Sequence, residues 1–192
     1  MTILFNTMLF LSIAFPCFAD KTELAAGWYD LGEHRALLLA ADQPAKTDLG
    51  KPWVWYAPAF DQRLPEKREL WMIDRLRAKG IAIAAIDVGE SMGNPTGRAA
   101  FTQLYKHMVE QGYSKKPVLL ARSRGGLMHY NWAAENSDCV AGIAGIYPVC
   151  NLTSYPGLSK AAKAYNMTEA EFNSELKNHN PIERLKPLAK VN

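Results

Sequence analysis

The sequence predicts an α/β domain built on a mostly parallel sheet with helices on both faces, and three observations carry that expectation. From Trp53 onward the segments alternate strand, helix, strand, helix, strand, helix, strand, the pattern of right-handed βαβ units. Residues 81–88, Ile-Ala-Ile-Ala-Ala-Ile-Asp-Val, are apolar on both faces, as a central parallel strand covered from two sides must be. A short apolar run at 118–121 passes abruptly into a helical segment at 127–136 through Ala121-Arg122-Ser123-Arg124-Gly125-Gly126, a sharp turn with a serine at its apex.

Length and composition set the frame. The chain has 192 residues, 48% hydrophobic and 21% charged, which suits one globular domain with a substantial core. Net charge is +3, with lysines and arginines interspersed among acids, so nothing points to nucleic acid or to a membrane surface. Residues 1–19 carry no charge and hold an apolar run from Met8 to Phe15, then Pro16 and Cys17-Phe18-Ala19. This resembles a secretory signal peptide cleaved before Asp20, although the basic residues usual at its start are missing. The run is far shorter than the ~20 residues a membrane span needs. A secreted or periplasmic domain over 20–192, without a membrane segment after removal of the signal, is the expectation. Of the cysteines, Cys17 leaves with the signal, while Cys139 and Cys150 bracket one strand. Extended chain at about 3.3 Å per residue holds them roughly 35 Å apart, and a disulfide needs Cα atoms within about 7 Å. They are expected to stay unpaired with each other. No cysteine and histidine cluster has metal-ligand spacing, and no cofactor is implied.

In chain order, Ala36 to Ala40 is a buried strand pairing with a preceding short strand around Trp28 and Tyr29. Residues 43–50, with Pro44 and Gly50, form a loop, and 53–57 a strand of alternating bulky residues stopped by Pro58. Residues 64–79 read as a helix with Leu70, Ile73 and Leu76 on one face, Pro65 in its first turn and Gly80 past its end. The strand at 81–88 runs into Asp87-Val88-Gly89-Glu90-Ser91, and polar residues there face the crevice where open α/β sheets bind ligands. Asp87 and Glu90 are therefore candidates to shape a pocket, to pair with nearby arginines, or simply to cap the next turn. Gly93, Pro95 and Gly97 read as loop, followed by a helix with Phe101, Leu104, Tyr105 and Met108 on its buried stripe. His107 lies off that stripe and is expected in solvent. Residues 140–147 form a last strand, closed by Pro148. Thr168-Glu169-Ala170-Glu171 is a capping box opening a short helix with Phe172 and Leu176 on one face. Asn151-Leu-Thr and Asn166-Met-Thr match the N-glycosylation acceptor pattern.

The turn around Ser123 resembles the nucleophile elbow of the α/β-hydrolase superfamily, Gly-x-Ser-x-Gly, with Ala121 in place of the first glycine. Ser123-Arg124-Gly125-Gly126 is similar to the elbow of prolyl-oligopeptidase-type hydrolases, and Ser123-Arg124 to that of some secreted carbohydrate esterases. The resemblance implies an α/β-hydrolase fold in which Ser123 attacks an acyl carbonyl. It implies an oxyanion hole from the backbone N–H of Arg124 and of the loop after the 53–57 strand, Ala59 or Phe60. It also makes residues 151–180 a candidate lid. Arg122, with Asp87 and Glu90, is a candidate pocket residue. The Arg124 side chain would serve the oxyanion or an acidic substrate group, or pair with Asp87 or Glu90 to brace the elbow.

A serine hydroxyl needs a histidine base and a carboxylate that orients it. In the superfamily both follow later strands, in the order serine, acid, histidine. Here His129 sits too far along the elbow helix, and His179 lies in the lid-like segment with no strand and acid-bearing loop before it. The triad Asp and His are thus not identified in this stretch, and the expectation is the N-terminal part of a longer hydrolase with its C-terminal strands missing, inactive by itself. Substrate readings are an ester, small or on an oligosaccharide, or alternatively a prolyl-oligopeptidase-like peptide. The contrasting reading is a catalytically dead, carbohydrate-binding or interaction protein. Oligomeric state is not legible.

Overall fold

The computed structural model describes residues 27–45, 47–60 and 65–191. The signal-peptide segment 1–19 and the helix start at Leu64 lie outside the described residues. Six strands form one sheet in the order β1-β2-β4-β3-β5-β6: β1 Trp28–Leu31, β2 His34–Leu39, β3 Trp53–Ala57, β4 Ala82–Ile86, β5 Val118–Arg122 and β6 Gly142–Ile146. The β1–β2 hairpin, with Trp28 opposite Leu37, is antiparallel, as is the β2–β4 pairing. The pairs β3–β4, β3–β5 and β5–β6 are parallel. A mostly parallel sheet was expected, and the antiparallel hairpin sits at its edge.

Alternation along β3 assigns each side chain to a layer. Trp53, Trp55 and Ala57 face one core with Ala84, Ile86 and Leu119, covered by helices α2 Pro95–Glu110 and α3 Gly125–Glu135. Their stripe is Phe101, Leu104 and Met108 on α2, with Met128 and Trp132 on α3. Val54 and Tyr56 face the opposite core with Ile83, Ala85 and Leu120, covered by helix α1 Leu70–Ala78 through Leu70 and Ile73. Both faces of the sheet are therefore closed by helices, which explains why β3 and β4 are buried at every position.

The chain after β6 packs a third, smaller core. Helices α4 Leu158–Ala164, α5 Glu169–Ser174 and α6 Leu176–His179 bring Leu152, Ala161, Ala162, Tyr165 and Phe172 against Leu127 of α3 and against Met92. The capping box at Thr168 and Glu171 forms as expected, but α5 stops at Ser174, so Phe172 and Leu176 reach this core from two consecutive helices. Asn180 ties the segment down, its side-chain carbonyl accepting from the Leu152 amide at 2.9 Å.

Four expectations are corrected. Helix α1 begins at Leu70, not in the mid-sixties. Pro65 precedes it and a 3-10 turn, Lys67–Glu69, leads in, because Glu66 and Glu69 form a capping box there. Helix α2 starts at Pro95 rather than after Gly97: Pro95 fills the first helical position, where its missing N–H costs nothing, and the Asn94 side chain accepts from the Gly97 amide at 2.8 Å. Helix α3 starts at Gly125, directly after the elbow. His107 is half-buried, its ring 5.6 Å from that of Tyr29. Cys139 and Cys150 are both free.

His129 lies wholly inside the main core, between Trp55 at 5.6 Å and Phe101 at 5.4 Å, and neither ring nitrogen has a hydrogen-bond partner. Burial pushes its pKa down to about 3. The neutral imidazole is the folded form, so stability is constant above the unfolded-state value of about 6.5 and falls as pH drops below it, by up to about 1.4 kcal/mol per unit. His179, also shifted down by burial and by Arg98 and Arg184, acts in the same direction. His129→Leu should therefore flatten the decline in urea stability between pH 6 and pH 4 by about 2 kcal/mol. An unchanged slope would show that the ring is not buried and neutral.

Candidate active site

Ser123 follows β5 with a backbone φ of +49°, in the left-handed region that a residue with a Cβ seldom occupies. Such a conformation costs about 1–3 kcal/mol and persists only where its surroundings impose it. Here the imposing contacts are backbone. The Ser123 amide donates to the Ile146 carbonyl at 3.0 Å, and its carbonyl accepts from Val149 at 2.7 Å and from Gly126 at 3.0 Å. The helix that follows must then start against the exit of β3. A Cβ on Gly125 would overlap the Ala57 carbonyl oxygen, and one on Gly126 would overlap that of Val149. Ala121, where the resembled motif has glycine, is fully buried and pairs in register with Ala57 and Gly145. The serine is left half-exposed at the carboxyl end of the sheet.

Arg124 opens α3 with φ −63° and ψ −12°. Amides at a helix start have no intrahelical acceptor and form a positive dipole end, which suits an anion. Its guanidinium pairs with Glu90 and lies 5.3 Å from the Phe60 ring and 5.8 Å from that of Tyr155. The bracing alternative thus acquires its partner, Glu90. Ala59 is buried and bridged to Asp87, so the loop after β3 runs alongside the end of β4 next to the elbow. Asp87 accepts the Gly89 amide at 2.9 Å through its carboxylate and receives His34 Nδ1 on its carbonyl at 3.1 Å, the turn-capping role.

Arg122, expected as a pocket residue, is engaged in ion pairs with two glutamates. It is buried beneath the elbow, its Nε 3.1 Å from Glu69 and its NH2 2.8 Å from Glu66. Tyr56 donates to both Glu69 oxygens, at 2.9 and 3.0 Å. Burial, then Glu69, raises the Tyr56 pKa, keeping the phenol protonated as a donor. Burial opposes the Arg122 cation, but Tyr56, Glu69 and Glu66 more than offset it and its pKa is raised. Sequence reading missed Glu66, Glu69 and Tyr56. Its one accessible signal was the Glu-x-x-Glu spacing before α1, which a longer helix disguised. Tyr147 was missed as well: it follows β6 at φ +39°, with Arg122 5.8 Å from its ring centre.

None of the four histidines meets Ser123. His34 holds Asp87, His107 stacks near Tyr29, His129 is in the core, and the His179 ring lies 4.7 Å from Tyr165. Among the described residues no group of histidine, cysteine and carboxylates could hold a metal ion.

The buried ion pair gives a direct test. Both partners are under a tenth exposed, so removing one strands a charge, typically at about 3–5 kcal/mol. Arg122→Met should lower urea stability by about 3 kcal/mol, and adding Glu69→Leu should recover most of that loss. Additive losses in the double variant would contradict the coupling.

No family model matches the chain, and no curated protein matches it. Solved structures do. A puromycin-hydrolyzing peptidase from Mycobacterium tuberculosis aligns at TM-score 0.61 and 11% identity over 80% of this chain and 27% of its own. An S-formylglutathione hydrolase from Agrobacterium tumefaciens aligns at TM-score 0.63 and 12% identity, over 84% of this chain and 70% of its own. A post-proline cleaving enzyme from Rickettsia typhi aligns at TM-score 0.59 and 14% identity, over 80% and 25%. The chain thus spans about a quarter of each of the two peptidases. With strand order β1-β2-β4-β3-β5-β6, helices on both sheet faces and a serine at the β5–α3 turn, the chain has the α/β-hydrolase fold over part of its extent.

Proposed function

We propose that the chain is the N-terminal part of an exported serine hydrolase that cleaves an ester through an acyl-enzyme on Ser123. The observation that carries the proposal is the strained φ of Ser123 at the β5–α3 turn, imposed by backbone contacts on both sides. Strain of this kind at a half-exposed, chemically capable side chain supports a functional reading. In the proposed reaction the Ser123 hydroxyl adds to the ester carbonyl as its proton passes to a base. The carbonyl oxygen, now negative, is held by the Arg124 amide and an amide of the Ala59–Phe60 loop, each donor typically worth about 3–4 kcal/mol. The alkoxide leaves with that proton, and water releases the acyl group.

The base and its acid are proposed to come from residues beyond those described. Every histidine of the chain is engaged elsewhere, and β6 is the outer strand of the described sheet, with Ala144 and Gly145 exposed. The segment 151–180 is proposed as a lid: Tyr155 stands against Arg124 at its start, while its core rests on α3. Export rests on the character of residues 1–19 alone.

A peptidase is the second reading, favoured by the peptidases among the structural neighbours. Purified full-length protein should hydrolyse p-nitrophenyl acetate faster than a prolyl-p-nitroanilide; the reverse order would make it a peptidase. A fluorophosphonate probe should label the wild type at Ser123 and leave Ser123→Ala unlabelled. Absence of labelling in the wild type would favour a non-catalytic binding protein.

A further inference from the structure

We propose that the outward ridge of helix α1 and its lead-in turn, Lys67, Trp71, Arg75 and Lys79, is a docking surface for an anionic phospholipid membrane. It stands apart from the hydrolase reading and does not involve Ser123.

The charges of this stretch are sorted by folding. In sequence, residues 66–79 read Glu-Lys-Arg-Glu-Leu-Trp-Met-Ile-Asp-Arg-Leu-Arg-Ala-Lys, with acids and bases interspersed, which gave no reason to expect a membrane partner. The fold engages the acids from within. Glu69 is buried with Arg122 and Tyr56, Glu66 is shared by Arg122 and Arg68, and Asp74 lies 3.8 Å from Arg77. Lys67, Arg75 and Lys79 are left exposed, and among the described residues none of the three has a carboxylate within ion-pair distance. Positions four apart on a helix share one ridge, here roughly 18 Å long at 1.5 Å per residue.

An indole stands in the middle of these cations. Of the chain's five tryptophans, Trp28, Trp53, Trp55 and Trp132 are at most 8% exposed, whereas Trp71 is 60% exposed. Leu70 and Ile73, on the inward side of the same helix, already fill the core, so packing does not require Trp71. Its ring is covered only in part, by the Arg75 guanidinium 5.1 Å from its centre.

The geometry and the charge select the occupant. A helical ridge is convex and cannot enclose a small ligand. A second copy docked ridge to ridge would set like charges against each other. An anionic bilayer offers a flat array of charges to the three cations and, just beneath it, the headgroup level at which amphipathic rings such as indole gather. Duplex nucleic acid would match the cations but gives the indole no apolar layer.

Purified full-length protein should cosediment with vesicles containing about one-third phosphatidylglycerol in phosphatidylcholine, leave them at about 0.5 M NaCl, and ignore phosphatidylcholine alone. Arg75→Glu combined with Lys79→Glu should weaken binding at least about tenfold, and Trp71→Ala at least about threefold. Both replace exposed side chains, so the unfolding temperature should stay unchanged. Phospholipids brominated near the headgroup should quench the bound wild type but not Trp71→Phe, because the other four indoles are buried. Ser123→Ala should bind like the wild type, so a protein without hydrolase activity can still pass. No binding to the anionic vesicles, or equal binding by the double glutamate variant, overturns the proposal. Tighter binding to a duplex oligonucleotide than to vesicles, without bromolipid quenching, also overturns it and assigns the ridge to nucleic acid.

Discussion

The conformation of one residue constrains the rest. Ser123 can stay at φ +49° only if β5 is locked between its parallel neighbours, if β6 ends where its carbonyl can take the Ser123 amide, and if α3 starts hard against the β3 exit. Each condition has a residue that meets it. Gly125 lets the helix touch Ala57, Gly126 lets it touch Val149, and Ala57 and Gly145 keep the flanking strands slim beside Ala121. Ala121 is fully buried, so a side chain larger than a methyl there would have to displace the groups packed over it.

Beneath that backbone lies a second layer of constraint, electrostatic rather than steric. Arg122 is the last residue of β5 and points away from the crevice, into the face covered by α1. A lone guanidinium buried there would be prohibitive, and the two glutamates with the Tyr56 hydroxyl convert it into a closed network. The network links β3, the turn before α1 and β5. Replacing it by apolar side chains of equal volume would keep the fold but loosen what holds the elbow in register.

What the sequence disclosed follows from the range of each interaction. Strand β3 was legible to the residue, 53–57, because its bulky alternation and Pro58 are both local. The sharp turn at Ser123 was legible because its residues occupy six consecutive positions. The α2 stripe was legible by period, but its start was not: Pro95 and Gly97 look like loop until Asn94 is seen to cap the turn. The partners of Arg122 were not legible because they lie 56 and 53 residues away, in a stretch whose glutamates look like solvated helix surface. Tyr147 was invisible for a different reason. Nothing in Ile-Tyr-Pro-Val announces a left-handed tyrosine; only the two hydrogen bonds to Ser123 create it.

Helix α3 carries the elbow at one end and the later segment on its flank, and this joins the site to the lid-like region mechanically. Asn131, fully buried on α3, donates to the His179 carbonyl at 2.8 Å and accepts from Arg184 at 2.8 Å. Arg184 continues to Glu135 at the helix end, and Arg98 reaches Glu135 from α2. The later segment meets the sheet domain through polar contacts along Asn131 and apolar ones at Leu127, and Leu188 beyond Arg184 is buried in the main core. Polar latches are directional and exchange readily with water, whereas the apolar contact beside the elbow does not. The chain on either side of Arg184 is thus held at two apolar places, Leu127 beside the elbow and Leu188 in the main core, with the Asn131 and Glu135 hydrogen bonds between them.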